Sequence, residues 1–240
     1  GGYLMGVVVR ALREDQRRRA DGNPDLLSAN FTFLNSSVGG EACEVVVRVL
    51  KAGRLVTTLQ ADLEQRGKVR VQCTAMFGKF GDGPTRKAQP GPADVPRSGV
   101  RPPSEEELAA SEADPPLREQ PTKQVLERFR WWFMSDTDLR AYQHMLSVRD
   151  WSGPGAAPTG YRCLASLEHA DEALSVEALA CLVDVNVPCI FGVLPREQRT
   201  WAPTLAFDLQ FFAPVPDGAR WVHADYQLHA HGPTRFTADC

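Results

Sequence analysis

The chain has 240 residues, of which 43% are hydrophobic and 24% charged, with a net charge of −3, an ordinary globular composition. No global basic field draws it to nucleic acid or anionic lipid, and no apolar run approaches the roughly 18–20 residues of a membrane span. Six cysteines, at 43, 73, 163, 181, 189 and 240, lack C-x-x-C spacing, which points away from a metal site or disulfide framework and towards a reducing, cytoplasmic setting.

Gly1-Gly2-Tyr3 leads directly into an amphipathic pattern. Leu4, Met5, Val7, Val8, Ala11 and Leu12 predict a largely apolar helix over about 2–19. Arg17-Arg18-Arg19 sits at its C-terminal end, where cations oppose the helix dipole, and Gly22-Asn23-Pro24 stops it. A strict alternation follows, with Leu27, Ala29, Phe31 and Phe33 on one face and Ser28, Asn30 and Thr32 on the other, the pattern of a half-buried strand. Further strands are expected at 43–51, 54–64 and 68–77, with turns at Ala52-Gly53 and Arg66-Gly67, giving an antiparallel meander.

Residues 78–122 are rich in Pro, Gly and charge, including Pro102-Pro103, Glu105-Glu106-Glu107 and Pro115-Pro116. They predict a surface linker with a short helix around 104–112. Beyond it, strands are expected at 128–134 and 160–168 and an apolar helix at 174–187, stopped by Pro188. Leu205, Phe207, Leu209 and Phe211 then alternate with Thr204, Ala206, Asp208 and Gln210, and another strand runs over 219–229. An offset of 178 positions carries Leu27, Phe31 and Phe33 onto Leu205, Leu209 and Phe211, and Gly40 onto Gly218. One helix-plus-sheet unit therefore occurs twice, as modules at 1–77 and 123–240 joined by the linker.

A long apolar helix followed by an antiparallel meander has a simple physical solution, in which the sheet curls round the helix and buries it. The expected class is α+β: a double hot-dog, with two central helices each wrapped by an antiparallel sheet. Aligning the two sheets removes an exposed edge from each. The first module lacks a strand before its helix, and Cys240 falls within a strand-like stretch. Both modules are thus expected to be truncated, and a peroxisomal address stays open beside a cytoplasmic one.

Ala178-Leu-Ala-Cys-Leu-Val-Asp184-Val-Asn-Val-Pro188 carries one acid in an apolar helix. A carboxylate buried there unpaired costs several kcal/mol, so Asp184 must be hydrogen-bonded, protonated or facing a wet cleft, and its place near the helix end suits a group asked to orient or deprotonate a water. An Asp that caps a turn near a helix end is the plain alternative. Thr204 is equally a β-former at a strand start. Gly1-Gly2 at a helix N-terminus can present N–H groups to a thioester oxygen or phosphate, or can serve close packing.

Gly1-Gly2-Tyr3-Leu4-Met5 resembles the start of the first central helix in acyl-CoA thioesterase II and its relatives. Phe31-Thr-Phe-Leu-Asn-Ser-Ser-Val38 resembles their first-module strand and turn. Pro203-Thr204-Leu-Ala-Phe-Asp-Leu-Gln-Phe-Phe-Ala-Pro214 resembles the strand that carries their catalytic Thr. The resemblance implies that Asp184 and Thr204 are catalytic, and that Gly2 and Tyr3 lie at the substrate. The reaction would be direct attack of water on a fatty acyl thioester, without cofactor or metal. The family's third water-holding residue, a Gln, is expected some tens of residues after Thr204, beyond Cys240; Gln227 falls too early.

The implied partner is acyl-CoA or another acyl thioester, with no nucleic acid and no membrane span. A homo-oligomer is open, because fused modules already supply the pairing that single ones gain by dimerising. A non-catalytic acyl-thioester-binding scaffold is the alternative. His169-Ala-Asp171 and His223-Ala-Asp225 do not match the Asp/His spacing of hot-dog hydratases. His229 and His231 are weak metal ligands on alternate strand positions. No G-x-S-x-G elbow or phosphate loop is present.

Overall fold

α1 spans Gly2–Arg19, as its 3.6-residue pattern predicts. Met5, Val8, Val9 and Leu12 form a stripe with no exposed surface. The last turn is Arg17-Arg18-Arg19, and Ala20 ends the helix in a left-handed conformation at φ 50°. In this computed structural model the described residues are 1–81, 104, 106, 129–146, 151, 155–156, 158–167, 172–185, 187–199, 202–232 and 236–240. Most of the expected linker, including the helix around 104–112, lies outside them, as do His169 and Asp171.

The described residues fall into two compact units that interleave along the chain. One draws on Gly1–Gln89, Ser175–Asp184 and Pro203–Pro216, the other on Pro90–Leu174, Val185–Ala202 and Asp217–Cys240. The first holds β1 (Asp25–Phe33), β2 (Glu44–Ala52), β3 (Thr57–Gln65) and β4 (Lys68–Gly78). With β7 (Ala206–Gln210) they form a sheet of order β2-β3-β4-β1-β7, every pair antiparallel. α1 lies against β2, β3 and β4, which gives the α+β hot-dog arrangement. Its core joins the α1 stripe to Leu26, Ala29, Phe31, Leu59, Leu63, Val71 and Phe77.

The second turn of the meander falls where expected, while the first spans residues 53–56, so β3 starts three residues later than expected. Arg66 and Gly67 both take positive φ, 55° and 67°, the requirement of a tight two-residue hairpin turn. One position differs from the strict alternation in β1. The pairing with β4 slips between Leu26 and Ser28, and this bulge puts Leu26 in the core with Ala29 and Phe31 while Leu27 is half-buried.

β7 covers the β1 edge in a self-matching register. Positions one repeat apart, Asn30 and Asp208, face each other, and Ser28↔Gln210 maps under the same offset onto Thr32↔Ala206. The two strands are therefore related by a local two-fold axis through the Asn30–Asp208 pair, where Asn30 Nδ2 donates to Asp208 Oδ1. Gly40 and Gly218, also one repeat apart, both adopt positive φ, at 76° and 72°.

The apolar helix expected over 174–187 is shorter. α3 spans Val176–Leu182, capped by Ser175, whose hydroxyl accepts from Ala178 N–H. It stops because Val183-Asp184-Val185 has low helix propensity and Pro188 favours an extended residue before it. α3 packs along α1.

In the second unit, β5 (Phe129–Phe133), β6 (Gly160–Leu167), β8 (Val222–His231) and β9 (Phe236–Asp239) form an antiparallel sheet in that order. The helix against it is α2, Asp136–Met145, which has no counterpart in the sequence-based expectation. Ser135 caps α2 and also donates to Asp138 at 2.6 Å. At the centre of this core Tyr161 stacks on Tyr226 and meets Tyr142 edge-on.

A buried polar knot ties the end of α1 to the sheet. Gln16 and Thr57 donate to Asp21, each at 2.6 Å, and Asn23 Nδ2 donates to Gly53 O and Thr57 Oγ1. The Thr57 hydroxyl is the main cause holding the Asp21 carboxyl below its ordinary value of 3.8. A depressed carboxyl stabilises the fold above its unfolded value, and that contribution is lost as pH falls through the folded value. Stability of the parent should therefore drop as acid is added below about 3.8, and Thr57→Val should lose less over that range. Denaturant midpoints at pH 7 and pH 3 measure it; parallel losses in the two proteins would refute it.

Candidate active site

The start of α1 is the positive end of its dipole, and it carries neither a capping side chain nor an acid in its first turn. Intrahelical bonds begin with Leu4 N–H and Met5 N–H to Gly1 O, at 2.9 and 3.2 Å. The amides of Gly2 and Tyr3 therefore have no intrahelical acceptor. Gly2 is buried, whereas the Tyr3 side chain stands 64% exposed. The Tyr3 ring thus faces outwards, and Gly2 follows Gly1 at the buried head of α1.

Asp184 reaches this end from the turn after α3, two residues beyond Leu182. Its Oδ2 lies 3.4 Å from the Gly1 nitrogen, with the side chain only 12% exposed. Its Oδ1 accepts from Thr204 Oγ1 at 2.7 Å. Thr204 sits just before β7, and the next residue is pinned to β1 by Phe33 N–H donating to Leu205 O at 2.9 Å. Two residues nominated separately in the sequence thus meet through one hydrogen bond at the head of α1.

Gly1 makes the meeting possible. A Cβ there would lie 1.8 Å from Asp184 Oδ2 and 3.3 Å from Thr204 Oγ1. Its signal was present in the sequence as a glycine pair opening a helix, but what packs against it is set by segments at the other end of the chain.

With Oδ1 held by Thr204, Oδ2 is buried and has no hydrogen-bond partner. One carboxylate thus has a fixed orientation and an oxygen that accepts no hydrogen bond, beside the nitrogen that opens α1. That combination can hold a water and face a polarised carbonyl. The nearby thiol is poorly suited to act as a nucleophile, because burial pushes Cys181 up to about 11 and keeps it protonated at neutral pH. Among the described residues no group of three or more His, Cys, Asp or Glu could hold a metal ion. His223 and Asp225 are exposed on β8, in the other unit.

Residues 1–78 match the family model of the acyl-CoA thioesterase N-terminal domain. That match covers the segment in which Gly1-Gly2-Tyr3 and the β1 motif suggested acyl-CoA thioesterase II. No curated protein matches the chain in sequence. Among solved structures, a candidate thioesterase II from Thermobifida fusca YX is similar at 21% identity and a TM-score of 0.65, over 100% of this chain and 84% of that one. A conserved hot-dog protein of unknown function from Alicyclobacillus acidocaldarius is similar at 14% identity and TM-score 0.61, over 97% and 76%. The acyl-CoA thioesterase II TesB2 of Mycobacterium marinum is similar at 14% and 0.55, over 88% and 71%. At these identities the likeness establishes the hot-dog fold. No helix among the described residues is long and apolar enough to cross a membrane.

Two substitutions test the packing. Gly1→Ala should drive the Asp184 carboxylate away from the head of α1, since real Cβ atoms do not approach within 3.0 Å of a neighbour; a crystal structure with Asp184 unmoved would refute this. Thr204→Val leaves Oδ1 without its donor in a largely buried site and should lower stability by about 1–3 kcal/mol, measured by urea unfolding.

Proposed function

We propose that this chain is a thioester hydrolase acting on fatty acyl-CoA or a closely related acyl thioester. The observation that carries the reading is the Thr204–Asp184 hydrogen bond of 2.7 Å, with Asp184 Oδ2 accepting no hydrogen bond and lying 3.4 Å from the Gly1 nitrogen at the head of α1. The acyl-CoA thioesterase match over residues 1–78 supports the same class.

In this scheme Asp184 Oδ2 accepts a hydrogen bond from water and takes its proton as the water oxygen bonds to the thioester carbon. Thr204 holds Oδ1 and so fixes the carboxylate rotamer. The first N–H groups of α1, those of Gly2 and Tyr3, stabilise the negative charge that develops on the carbonyl oxygen. Collapse breaks the C–S bond, and the proton on Asp184 passes to the departing sulfur. No covalent acyl-enzyme forms in this scheme.

A second reading is a non-catalytic acyl-thioester binder in the same place.

Thiol release from short-, medium- and long-chain acyl-CoA separates the two. Parent protein should hydrolyse at least one of them, and Asp184→Asn should lower kcat by about 10²–10⁴-fold. Tight acyl-CoA binding without thiol release would establish the binder instead.

A further inference from the structure

α3 has seven residues, too few to hold a helical shape or a fixed place unaided. Its place comes from α1, and the contacts run antiparallel along the two helices. Gly1 meets Asp184 at one end. Gly6 comes next, where a Cβ would lie 3.1 Å from Glu177 O and 3.6 Å from Cys181 Cβ. At the far end Arg13 Nη1 donates to Glu177 Oε1 at 2.6 Å.

The apolar contacts, through Val176, Ala180 and Val183, press α3 onto α1 but are non-directional. Gly6 has no side chain and Ala180 a small one, so the two helices approach closely there. A short charge-assisted hydrogen bond is directional, and this one is sheltered, its two side chains only 23% and 21% exposed. Screening is accordingly weaker than at a surface pair. Burial opposes ionisation of Glu177, but its own amide, the Arg13 charge and the Ser175 hydroxyl outweigh it and hold the carboxyl below its ordinary value. The pair is therefore charged at neutral pH.

From this geometry we infer that Arg13 and Glu177 are positioning residues that fix α3 along α1 and thereby set Asp184 against Gly1 and Thr204. The inference rests on the reading of Asp184 as the water-orienting base. Within α3 the backbone is a rigid spacer, so a displacement at Glu177 is passed on to the turn that carries Asp184. A 1 Å misplacement of a reacting group can cost on the order of a hundredfold in rate.

Glu177 also lies in the first turn of α3, where an acid is favourable by itself. The informative variant is therefore Arg13→Gln, which breaks the pair from the other helix and leaves that local role intact. In the full chain, Arg13→Gln should lower kcat by about tenfold or more with KM little changed, and Arg13→Lys should recover most of the loss. The double variant Arg13→Gln/Glu177→Gln should be no worse than the poorer single, as expected for residues acting as a unit.

Hydrogen exchange at the amides of 178–184 should accelerate several-fold in Arg13→Gln while those of β1 and β4 keep their rates. Unchanged exchange in α3, or losses that simply add, would overturn the inference. If parent and Asp184→Asn proteins hydrolyse acyl-CoA equally, it is the catalytic reading that fails. The exchange data then decide alone whether the pair holds α3.

Discussion

The burial of one face of α1 is the constraint to which the other features refer. Met5, Val8, Val9 and Leu12 have no contact with solvent, and each such side chain gains about 1.5–3 kcal/mol on leaving water. That stripe fixes the helix against β2, β3 and β4. Its C-terminal end is then tied down by the hydrogen bonds among Gln16, Asp21, Asn23 and Thr57, and its N-terminal end becomes a fixed positive pole. α3 docks on the same helix, so the position of Asp184 is defined relative to α1.

How far the sequence could be read depended on how local the determining physics was. α1 and β1–β4 were legible because a 3.6-residue pattern gives way to a period of two, and because Arg66-Gly67 is a turn that local backbone preference alone demands. The bulge at Leu26–Ser28 was not, since the slip belongs to the pairing with β4. α2 escaped although Ser135 and Asp138 carry a capping signal, because its mixed residues give no strong apolar period. The end of α3 was misplaced because an apolar run was continued through valines whose helix propensity is low. At the site, Asp184 and Thr204 were nominated one by one, from a resemblance and an unusual acid. The hydrogen bond between them and the glycine beneath them are products of tertiary structure.

Chain order does not say which sheet a strand joins, and β7 illustrates why the repeat mattered. Two strands related by the 178-residue offset pair in a register that maps onto itself, so one position must face its own equivalent. Two aspartates meeting there would repel, and like charges directly opposite in a sheet are destabilising. Asn30 opposite Asp208 supplies a donor to an acceptor instead. The exchange of one side chain thus lets the copies meet edge to edge, and it also carries Thr204, at the entry to β7, to the end of β1.

The two oxygens of Asp184 differ in their partners. A carboxylate placed for stability alone would have both oxygens satisfied, as Asp21 does with Thr57, Gln16 and the Asn23 amide. Asp62 is similar, with Arg48, Gln60 and Gln72 around it. At Asp184 one oxygen is held and the other accepts no hydrogen bond, facing the Gly1 nitrogen at 3.4 Å. Leaving a buried polar group unmet costs about 1–3 kcal/mol, and such groups in native structures call for a reason. The positive end of α1 offsets part of that cost without occupying the oxygen. The fold therefore keeps, at the head of α1, a largely buried carboxylate oxygen that accepts no hydrogen bond and faces the Gly1 nitrogen.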